Sequence, residues 1–456
     1  MYEKYKKSKQ GGKVLASGGF GCVFFPALKC KNNKTRKNKA ISKLMTIKHA
    51  DKEYAEIVSI KAKLKNIPNY KRFFLVYDID KPCEPNELTQ EDLIKFKEKC
   101  SALPKNNITY KNINKSLNQL KILNVPYGGI AVDDYLNKNN SYANLYQLNN
   151  SLVNLLKNGI IPMNQKYIFH CDIKDSNILV DNTNQFETRL IDWGLSTSYI
   201  PFKNNPLPNV WKNRSIQYNV PFSVILFSDI FINTYTNFIN TYYIKNITNS
   251  GKIIFNEGDL DKVFKFVLNY VYLWLQKKGL GHYKFINKII NMINKDNINK
   301  YKHEKKNIND VKTNKKITIG DTNTIRFVAN YITQILINFT YINKDQLNLR
   351  FYLDEVFIHN IDIWGFVSTY IPLLEMFYEN MHKNNKILDQ LQQLFLFLYN
   401  NGELPIKKED LIIRLNNLNN IFKGTVEVVF NKFNKNTINK HTLKKYKQNR
   451  LNVTKK

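Results

Sequence analysis

The residues best suited to chemistry lie close together in the middle of the chain. Asp172 and Lys174 stand two positions apart, and Asn177 and a second carboxylate, Asp192, follow shortly after. A carboxylate can orient an attacking hydroxyl and accept its proton, while a neighbouring lysine neutralises charge on a moving phosphoryl group. The pattern therefore predicts phosphoryl transfer, with Asp172 and Lys174 as catalytic residues. Asn177 and Asp192 offer the hard oxygen ligands that Mg²⁺ prefers and are the predicted metal ligands.

These four residues belong to two short motifs with apolar flanks. Residues 170–177 fit the pattern H-x-D-x-K-x-x-N, and residues 192–194 fit D-F-G with Trp193 in place of the phenylalanine. The apolar runs at 178–180 and 189–191 predict a strand after the first motif and another before the second. Together the motifs resemble the catalytic loop and the metal-binding loop of the eukaryotic-type protein kinase superfamily.

The resemblance implies an α+β, bilobal protein-kinase-like fold. A small antiparallel β-sheet lobe would precede a mainly helical large lobe that carries an insertion. The abundance of Lys, Asn and Ile, the Asp-Trp-Gly triplet and the insertion are similar to divergent serine/threonine protein kinases of large nucleocytoplasmic DNA viruses. The family implies ATP and Mg²⁺ as cofactors and protein substrates, whose Ser or Thr hydroxyls would receive the ATP γ-phosphate.

A glycine cluster near the N-terminus resembles the glycine-rich loop of these kinases. Gly18 and Gly21 match its second and third glycines, and Ala16 replaces the first. Glycines let backbone N–H groups approach phosphate oxygens where a Cβ would block them. The resemblance places Phe20 at the loop tip and Val23 over the adenine. These five residues are therefore predicted to bind ATP.

Lys43 is the candidate for the strand lysine that binds the α- and β-phosphates of ATP. Apolar neighbours at positions 41 and 44 place it on a strand. Its ion-pair partner is expected on the following helix, where Glu53 and Glu56 both qualify. Glu53 is favoured because the apolar residues at 57, 60 and 64 then line the packed face at helical spacing from it.

Further positions match the superfamily beyond the two motifs. The hinge is expected near residues 123–127, where backbone groups, including those of Val125 and Tyr127, would bind adenine. Residues 218–221 resemble the end of an activation segment, and Ser215 lies where Ser/Thr kinases carry a hydroxyl near the base. Asp362 resembles the aspartate that begins the central helix of the large lobe. It is expected to accept hydrogen bonds from the catalytic-loop backbone.

Departures from the family pattern also carry expectations. Cys171 stands where many regulated kinases have an arginine that receives the activation-loop phosphate. The chain is therefore expected not to need that phosphorylation. Phe222 replaces a glutamate that forms an ion pair in the large lobe. His170 is expected to be a packing and hydrogen-bonding residue with no chemical role.

The composition indicates a globular protein with a strong positive charge. The chain has 456 residues, 43% of them hydrophobic and 13% aromatic, and its net charge is +32. Such a charge is typical of proteins that bind nucleic acid or anionic membranes. Lys, Asn and Ile are nevertheless over-used throughout the chain, and no recognised nucleic-acid module occurs. We therefore expect no dedicated nucleic-acid binding.

Cysteine usage and hydropathy bear on the compartment. The five cysteines are Cys22, Cys30, Cys83, Cys100 and Cys171. Because their number is odd and no C-x-x-C pair occurs, reduced thiols in a cytosolic compartment are favoured over a zinc site. The N-terminus lacks a signal-peptide pattern, and apolar stretches such as 263–275 are too short to span a bilayer. A soluble cytoplasmic protein is expected, in the host cytoplasm if the chain is viral, with the virion as an alternative by analogy.

Composition and periodicity predict the following organisation. The segments are a basic N-terminus at 1–13, a small lobe at 14–126, a large lobe at 127–430 and a basic tail at 431–456. The large lobe includes an insertion at 229–355, expected to be helical with a disordered Lys/Asn-rich run at 294–316. The predicted strands are a hairpin within 14–30 and single strands at 40–45, 72–79 and 119–125, and the predicted helices are 50–65, 91–100 and 145–156.

Two other functions compete with the protein kinase. Small-molecule phosphotransferases of the aminoglycoside or choline type share H-x-D-x-x-x-x-N, but they generally lack the lysine and follow Asp-Trp with an acidic residue. Lys174 and Gly194 therefore favour the protein kinase. A pseudokinase scaffold is the non-enzyme alternative, and the presence of every core residue argues against it.

Overall fold

The computed structural model describes residues 13–31, 39–183, 185–203, 205–293, 306–310, 315–319, 323–343, 346–380, 385–400 and 402–424. The chain divides into two compact units. Unit 1 comprises residues 1–130 and 177–196, and unit 2 comprises residues 131–176 and 197–456. The fold is mixed α+β, as predicted, with a four-stranded antiparallel sheet and many helices. The predicted basic tail and residues 1–12 of the basic N-terminus lie outside the described residues.

The strands and helices have the following bounds. The strands are β1 (Lys13–Ser17), β2 (Gly21–Phe25), β3 (Ala40–Thr46), β4 (Leu120–Pro126), β5 (Ile130–Ala131), β6 (Ile168–Phe169), β7 (Ile178–Asp181), β8 (Glu187–Leu190), β9 (Thr197–Ser198), β10 (Lys306–Asp310), β11 (Lys315–Ile319), β12 (Ile342–Asn343) and β13 (Gln346–Leu347). The helices are α1 (Ile47–Leu64), α2 (Tyr70–Phe73), α3 (Phe96–Lys99), α4 (Val132–Leu136), α5 (Tyr142–Leu155), α6 (Ile161–Gln165), α7 (Asp229–Tyr242), α8 (Glu257–Lys278), α9 (Tyr283–Ile293), α10 (Asn323–Phe339), α11 (Arg350–Tyr352), α12 (Ile358–Ser368), α13 (Ile371–Glu379), α14 (Asn385–Tyr399) and α15 (408–424).

In unit 1, strands β1 to β4 pair in sequence order. Side chains alternate between the two faces of a strand. In β3, Ser42 and Leu44 are therefore buried on one face while Lys43 lies on the other. Helix α1 follows β3 directly and buries Ile57 and Ile60, which are spaced as the sequence predicts. Residues 177–196 belong to this unit as the β7–β8 hairpin, although the sequence division placed them with the large lobe.

One predicted strand is wrong. The apolar run at 72–79 begins inside helix α2, and only an isolated bridge joins Phe74 to Leu190. Phe74 and Val76 are buried, with 0% and 1% of their surface exposed. A continuous apolar run signals burial and does not by itself distinguish a strand from an extended core segment. The predicted helix at 91–100 is likewise short, because only Phe96–Lys99 is helical.

The cysteines of unit 1 correct the expectation of reduced thiols. Disulfides join Cys22 to Cys100 and Cys30 to Cys83. Cys171 is the free cysteine, and it is buried. The odd number of cysteines thus reflects two bridges and one core thiol. The expectation of a cytosolic compartment loses the support that reduced thiols would have given it, because disulfides are rare there.

Thiol counting tests the two bridges. After denaturation without reductant, we expect one maleimide-reactive thiol per chain, because only Cys171 is unpaired. After reduction all five cysteines should react. Intact mass measurement before and after labelling gives both counts. Five reactive thiols before reduction would contradict the bridges.

In unit 2, helix α12 lies in the core. Every residue from Asn360 to Ser368 is buried, as expected for a helix that is surrounded by other elements. A Cβ on Gly365 would lie 2.7 Å from the carbonyl oxygen of Ile173, so only glycine permits this close approach. Helix α12 therefore supports the loop that contains Asp172.

The described residues of the predicted insertion at 229–355 are mainly helical, with α8 packed against α10. Part of its run at 294–316, predicted to be disordered, instead forms the β10–β11 hairpin, in which Lys306 pairs with Ile319. In β11, Ile317 and Ile319 alternate with polar residues, a two-residue period typical of strands. The other residues of that run lie outside the described part of the chain. No described helix combines the length and apolar content needed to cross a membrane.

Candidate active site

The glycine cluster forms the turn between β1 and β2 of unit 1. The N–H of Gly18 donates to the carbonyl oxygen of Gly21 at 2.8 Å, which closes the turn. A Cβ on Gly21 would lie 2.2 Å from Met45 Cγ, so this position requires glycine. Phe20 lies at the tip with 61% of its surface exposed, and its ring stacks on His49 at 4.4 Å. Ala16 pairs with Val23 across the hairpin.

Residues 99–102 hold this turn in place, a contact that the sequence analysis did not predict. The hydroxyl of Ser17 accepts hydrogen bonds from the N–H groups of Ser101 and Ala102 at 3.1 and 3.0 Å. Lys99 donates to the carbonyl oxygen of Leu15 at 3.1 Å. The Cys22–Cys100 bridge lies beside these contacts. Residues 99–102 are thus bonded to both strands that flank the turn, by hydrogen bonds to β1 and by the disulfide to β2.

Lys43 and Glu53 form the predicted ion pair. The ammonium lies 2.7 and 2.9 Å from the two carboxylate oxygens, and Lys43 is opposite Val23 in the sheet. Burial alone would lower the pKa of Lys43, but the charges of Glu53 and then Asp192 outweigh it, so this pKa lies above its ordinary value. Glu56, the other candidate, pairs with Lys52 at 3.7 Å. The ammonium of Lys43 is therefore held charged near Asp192.

The β7–β8 hairpin places the two predicted metal ligands at its open end. Asn177 precedes β7, and its carbonyl oxygen accepts the N–H of Ile191 at 3.0 Å. Asp192 follows in a left-handed conformation with φ 65°, which is uncommon for a residue other than glycine and marks a constrained position. Trp193 is buried against Phe74, with ring centroids 5.6 Å apart. Asp192 is thus an exposed residue next to a buried aromatic residue.

The donor chemistry of this hairpin end fits Mg²⁺. Within the described residues, no three His, Cys, Asp or Glu side chains gather into a metal cluster. Mg²⁺ needs no such cluster, because it usually binds one or two carboxylates together with phosphate oxygens and water. Asp192 and Asn177 would supply the protein's share of such a coordination shell.

The hinge prediction is only partly compatible with the backbone pairing. Val125 lies in β4 opposite Ile41. The N–H of Tyr127 donates to the carbonyl oxygen of Lys39 at 3.1 Å, so this group is already paired within the protein. The ring of Tyr127 packs against Phe25 at 4.9 Å. Its predicted adenine contact therefore cannot rely on the backbone N–H.

In unit 2, both oxygens of Asp172 are held by side chains. Lys174 donates to Oδ2 at 2.9 Å, and the amide of Asn219 donates to Oδ1 at 2.8 Å. Asp172 is 9% exposed. Burial alone would raise the pKa of this carboxyl, but the Lys174 charge and the donated hydrogen bonds hold it below its ordinary value. Asp172 is therefore ionised at neutral pH, as a proton acceptor must be.

Asp362 fixes the backbone of the same loop. Its carboxylate accepts the N–H of His170 at 2.9 Å and the N–H of Cys171 at 2.8 Å. The predicted backbone hydrogen bonds of Asp362 are thus confirmed. His170 is fully buried, and its Nδ1 accepts the N–H of Asp172 at 3.3 Å. Cys171 has a φ of 61°, so the turn before Asp172 depends on these supports.

Asn219 is a site residue that sequence reasoning missed. Ser215 was the residue expected to bring a polar group near the base, but Asn219 is the neighbour that donates to Asp172. Asn219 also donates to the carbonyl oxygen of Ile173 at 3.3 Å and is 1% exposed. The available signal was its position within residues 218–221, the predicted end of the activation segment.

Asp175, in the same loop, gives a pH-dependent prediction. Burial, together with the charge of Asp133, raises its pKa from 3.8 to about 6. Between these pH values the folded chain keeps a proton that the unfolded chain has released, so stability falls as pH rises. Asp175→Asn should therefore raise the free energy of unfolding at pH 7 by on the order of 2 kcal/mol. Denaturant titrations at pH 4 and pH 7 check this, and equal destabilisation at both would contradict it.

Within unit 1 the structure brings together the glycine turn, Lys43, Glu53 and Asp192, and within unit 2 it brings together Asp172, Lys174 and Asn219. These groups can hold phosphate oxygens and a cation in one unit and accept a hydroxyl proton in the other.

Comparison with known proteins adds no family to this description, because no family model and no curated protein sequence matches the chain.

Proposed function

We propose that the protein is a serine/threonine protein kinase with a protein-kinase-like fold. It would transfer the γ-phosphate of ATP to Ser or Thr hydroxyls of protein substrates. The contact between Lys174 and Asp172, at 2.9 Å, carries this proposal. In the proposed reaction the carboxylate receives the hydroxyl proton. A lysine that is hydrogen-bonded to this carboxylate places positive charge beside the phosphoryl group during its transfer.

The chain's own residues divide the work of the proposed reaction. Asp172 orients the Ser or Thr hydroxyl and accepts its proton as the oxygen–phosphorus bond forms. Lys174 neutralises charge on the phosphoryl oxygens, and the bond to the ADP oxygen breaks in line with the attack. Lys43, fixed by Glu53, binds the α- and β-phosphates. Mg²⁺, when bound, would neutralise the phosphate charge.

The ligands of Mg²⁺ in this proposal are Asn177 and Asp192. They suit the ion because both offer oxygen donors and one carries charge. Phosphoryl transfer requires both the metal ligands and the proton acceptor. The proposal therefore predicts that substitutions in either unit abolish the same reaction.

A small-molecule phosphotransferase is less well supported. The Lys174 contact to Asp172 occupies the position that such enzymes generally leave without a lysine. Gly194 follows Trp193 where those enzymes carry an acidic residue. A protein acceptor is the better fit to both residues.

The acceptor class can be tested with labelled ATP and Mg²⁺. Casein, a basic protein and an aminoglycoside panel would be offered to the wild-type protein, followed by phosphoamino-acid analysis. The proposal predicts phosphoserine or phosphothreonine on the proteins. Label on the small molecules alone would overturn the protein-kinase assignment. The absence of both transfer and an ATP-dependent thermal shift would favour a scaffold, whereas ATP binding without transfer would point to a missing substrate or activator.

A further inference from the structure

Residues 211–219 of unit 2, here the 211–219 segment, contact the loop of Asp172 at several points. Trp211 is fully buried, and its indole N–H donates to the sulfur of Cys171 at 3.3 Å. Arg214 donates to the carbonyl oxygen of Cys171 at 2.7 Å. Asn219 donates to Asp172 itself. The segment therefore fixes the loop from its backbone to its reactive carboxylate.

Arg214 is held by an acceptor within the 211–219 segment. Two of its guanidinium nitrogens donate to the side-chain oxygen of Gln217 at 2.9 and 2.6 Å. Burial lowers the pKa of Arg214 below its ordinary value, and the neighbouring Cys171, Asp172 and Asp362 oppose only part of this shift. A buried guanidinium is tolerated only when its donors and charge are compensated. The oxygens of Gln217 and Cys171 accept hydrogen bonds from three of its nitrogens, so protein groups satisfy these donors.

The other side of the segment is bound by the insertion. The indole N–H of Trp274, in helix α8, donates to the carbonyl oxygen of Arg214 at 2.9 Å. The N–H of His282 donates to the carbonyl oxygen of Ile216 at 3.3 Å. Gly281 has a φ of 54°, and a Cβ there would lie 2.7 Å from the same oxygen. The insertion thus approaches the segment closely and satisfies two of its carbonyl groups.

The sequence sets the position of these donors. Helix α8 begins after Asn256, whose side chain forms a capping box with Asp259, and it ends before Gly279. This fixed start and end place Trp274 in the last turns of the helix, where it is fully buried. A buried indole N–H normally requires an acceptor, and the carbonyl of Arg214 provides it.

We infer that helix α8 and the turn at 279–282 act as an internal brace for the 211–219 segment. The brace holds Asp172 in its working position and replaces phosphorylation of that segment. This inference rests on the proposed kinase function and gives the insertion a role in it. Trp274 and Arg214 are positioning residues that act on Asp172 through Cys171 and Asn219.

Trp274→Phe tests the brace, because it removes the N–H donor and keeps an aromatic ring. We expect kcat to fall about 5- to 100-fold with KM for ATP unchanged, as expected when a buried carbonyl loses its donor. Amide hydrogen exchange in residues 211–219 should become faster by a similar factor. Arg214→Met should show the same two changes, and Arg214→Lys should restore part of the rate.

Tyr270→Phe is the matched control on the same helix. The Tyr270 hydroxyl contacts Ser228 and the carbonyl oxygen of Ile225, so its loss removes buried hydrogen bonds away from the 211–219 segment. Tyr270→Phe should lower the melting temperature without changing kcat or the rate of amide hydrogen exchange in residues 211–219. If Trp274→Phe behaves like Tyr270→Phe, the role of Trp274 is only structural and the brace is refuted.

Dephosphorylation tests the second half of the inference. Wild-type protein treated with phosphatase, and shown by intact mass to carry no phosphate, should keep its full rate. Loss of the rate on this treatment would overturn the inference. If the wild-type protein transfers no phosphate to any acceptor, the proposed function fails, whereas the exchange measurement still decides whether α8 braces the segment.

Discussion

Replacing Asp192 with alanine should reduce phosphoryl transfer by about 10³-fold or more while unit 1 stays folded. The carboxylate is exposed, so its removal leaves no cavity and no buried donor without an acceptor. It is also the charged member of the proposed Mg²⁺ ligands, and such an ion supplies several kcal/mol to the transition state. Alanine at this left-handed φ should cost about 1 kcal/mol of stability, so the expected loss of rate is much larger than the loss of stability can explain.

Asp181→Asn is the control for Asp192→Ala. Asp181 is also a carboxylate of the β7–β8 hairpin, but it contacts Thr183 and Arg189 at 2.7 and 3.0 Å. Its substitution should lower stability slightly and leave the transfer rate within a few-fold of wild type. Initial rates over a range of Mg²⁺ concentrations, with melting curves for each variant, make the comparison. Normal turnover by Asp192→Ala would remove this residue from the proposed site.

Replacing Lys43 with methionine should lower kcat/KM for ATP by about 10²-fold or more. The change keeps most of the side-chain volume and removes the charge that the proposal assigns to the α- and β-phosphates. It also leaves Glu53 without its partner at 2.7 Å, in a site where that side chain is only 19% exposed. We therefore expect a modest loss of stability, of about 1–2 kcal/mol, in addition to the kinetic effect.

Lys52→Met is the control for Lys43→Met. Lys52 pairs with Glu56 at 3.7 Å on the surface of helix α1, which also carries Glu53. Because Lys52 is 67% exposed, its loss should have little effect on rate or stability. ATP-dependent thermal shifts separate nucleotide binding from transfer in both variants. An unchanged ATP shift and rate for Lys43→Met would contradict the role proposed for this lysine.

Local spacing made part of the candidate site predictable. Glu53 was favoured over Glu56 because the apolar residues that follow it define a packed helical face, and the ion pair forms with Glu53. The strand of Lys43 and the strands that flank the two motifs follow from short apolar runs. These features depend on residues within a few turns of one another, which is the range over which periodicity carries information.

Long-range contacts were not predictable in the same way. Cys22 and Cys100 are 78 residues apart, and no spacing rule joins them. The contact of Asn219 with Asp172 joins residues 47 positions apart, so the only signal for it is the position of Asn219 at the predicted end of the activation segment. The apolar run at 72–79 resembles a buried strand, because the continuous burial of residues 73–76 shows none of the alternation that marks a half-buried strand.

The most direct test of the central claim is labelled γ-phosphate transfer to protein by the wild type and by Asp172→Asn. Asparagine keeps the shape of the side chain but cannot accept the hydroxyl proton, so transfer should fall about 10²- to 10⁴-fold. Asp175→Asn, in the same loop, is the control and should keep more than about a tenth of the rate. Phosphoserine or phosphothreonine made by the wild type and lost in Asp172→Asn is the predicted result. Equal transfer by wild type and Asp172→Asn would contradict the assignment of Asp172 as the catalytic base.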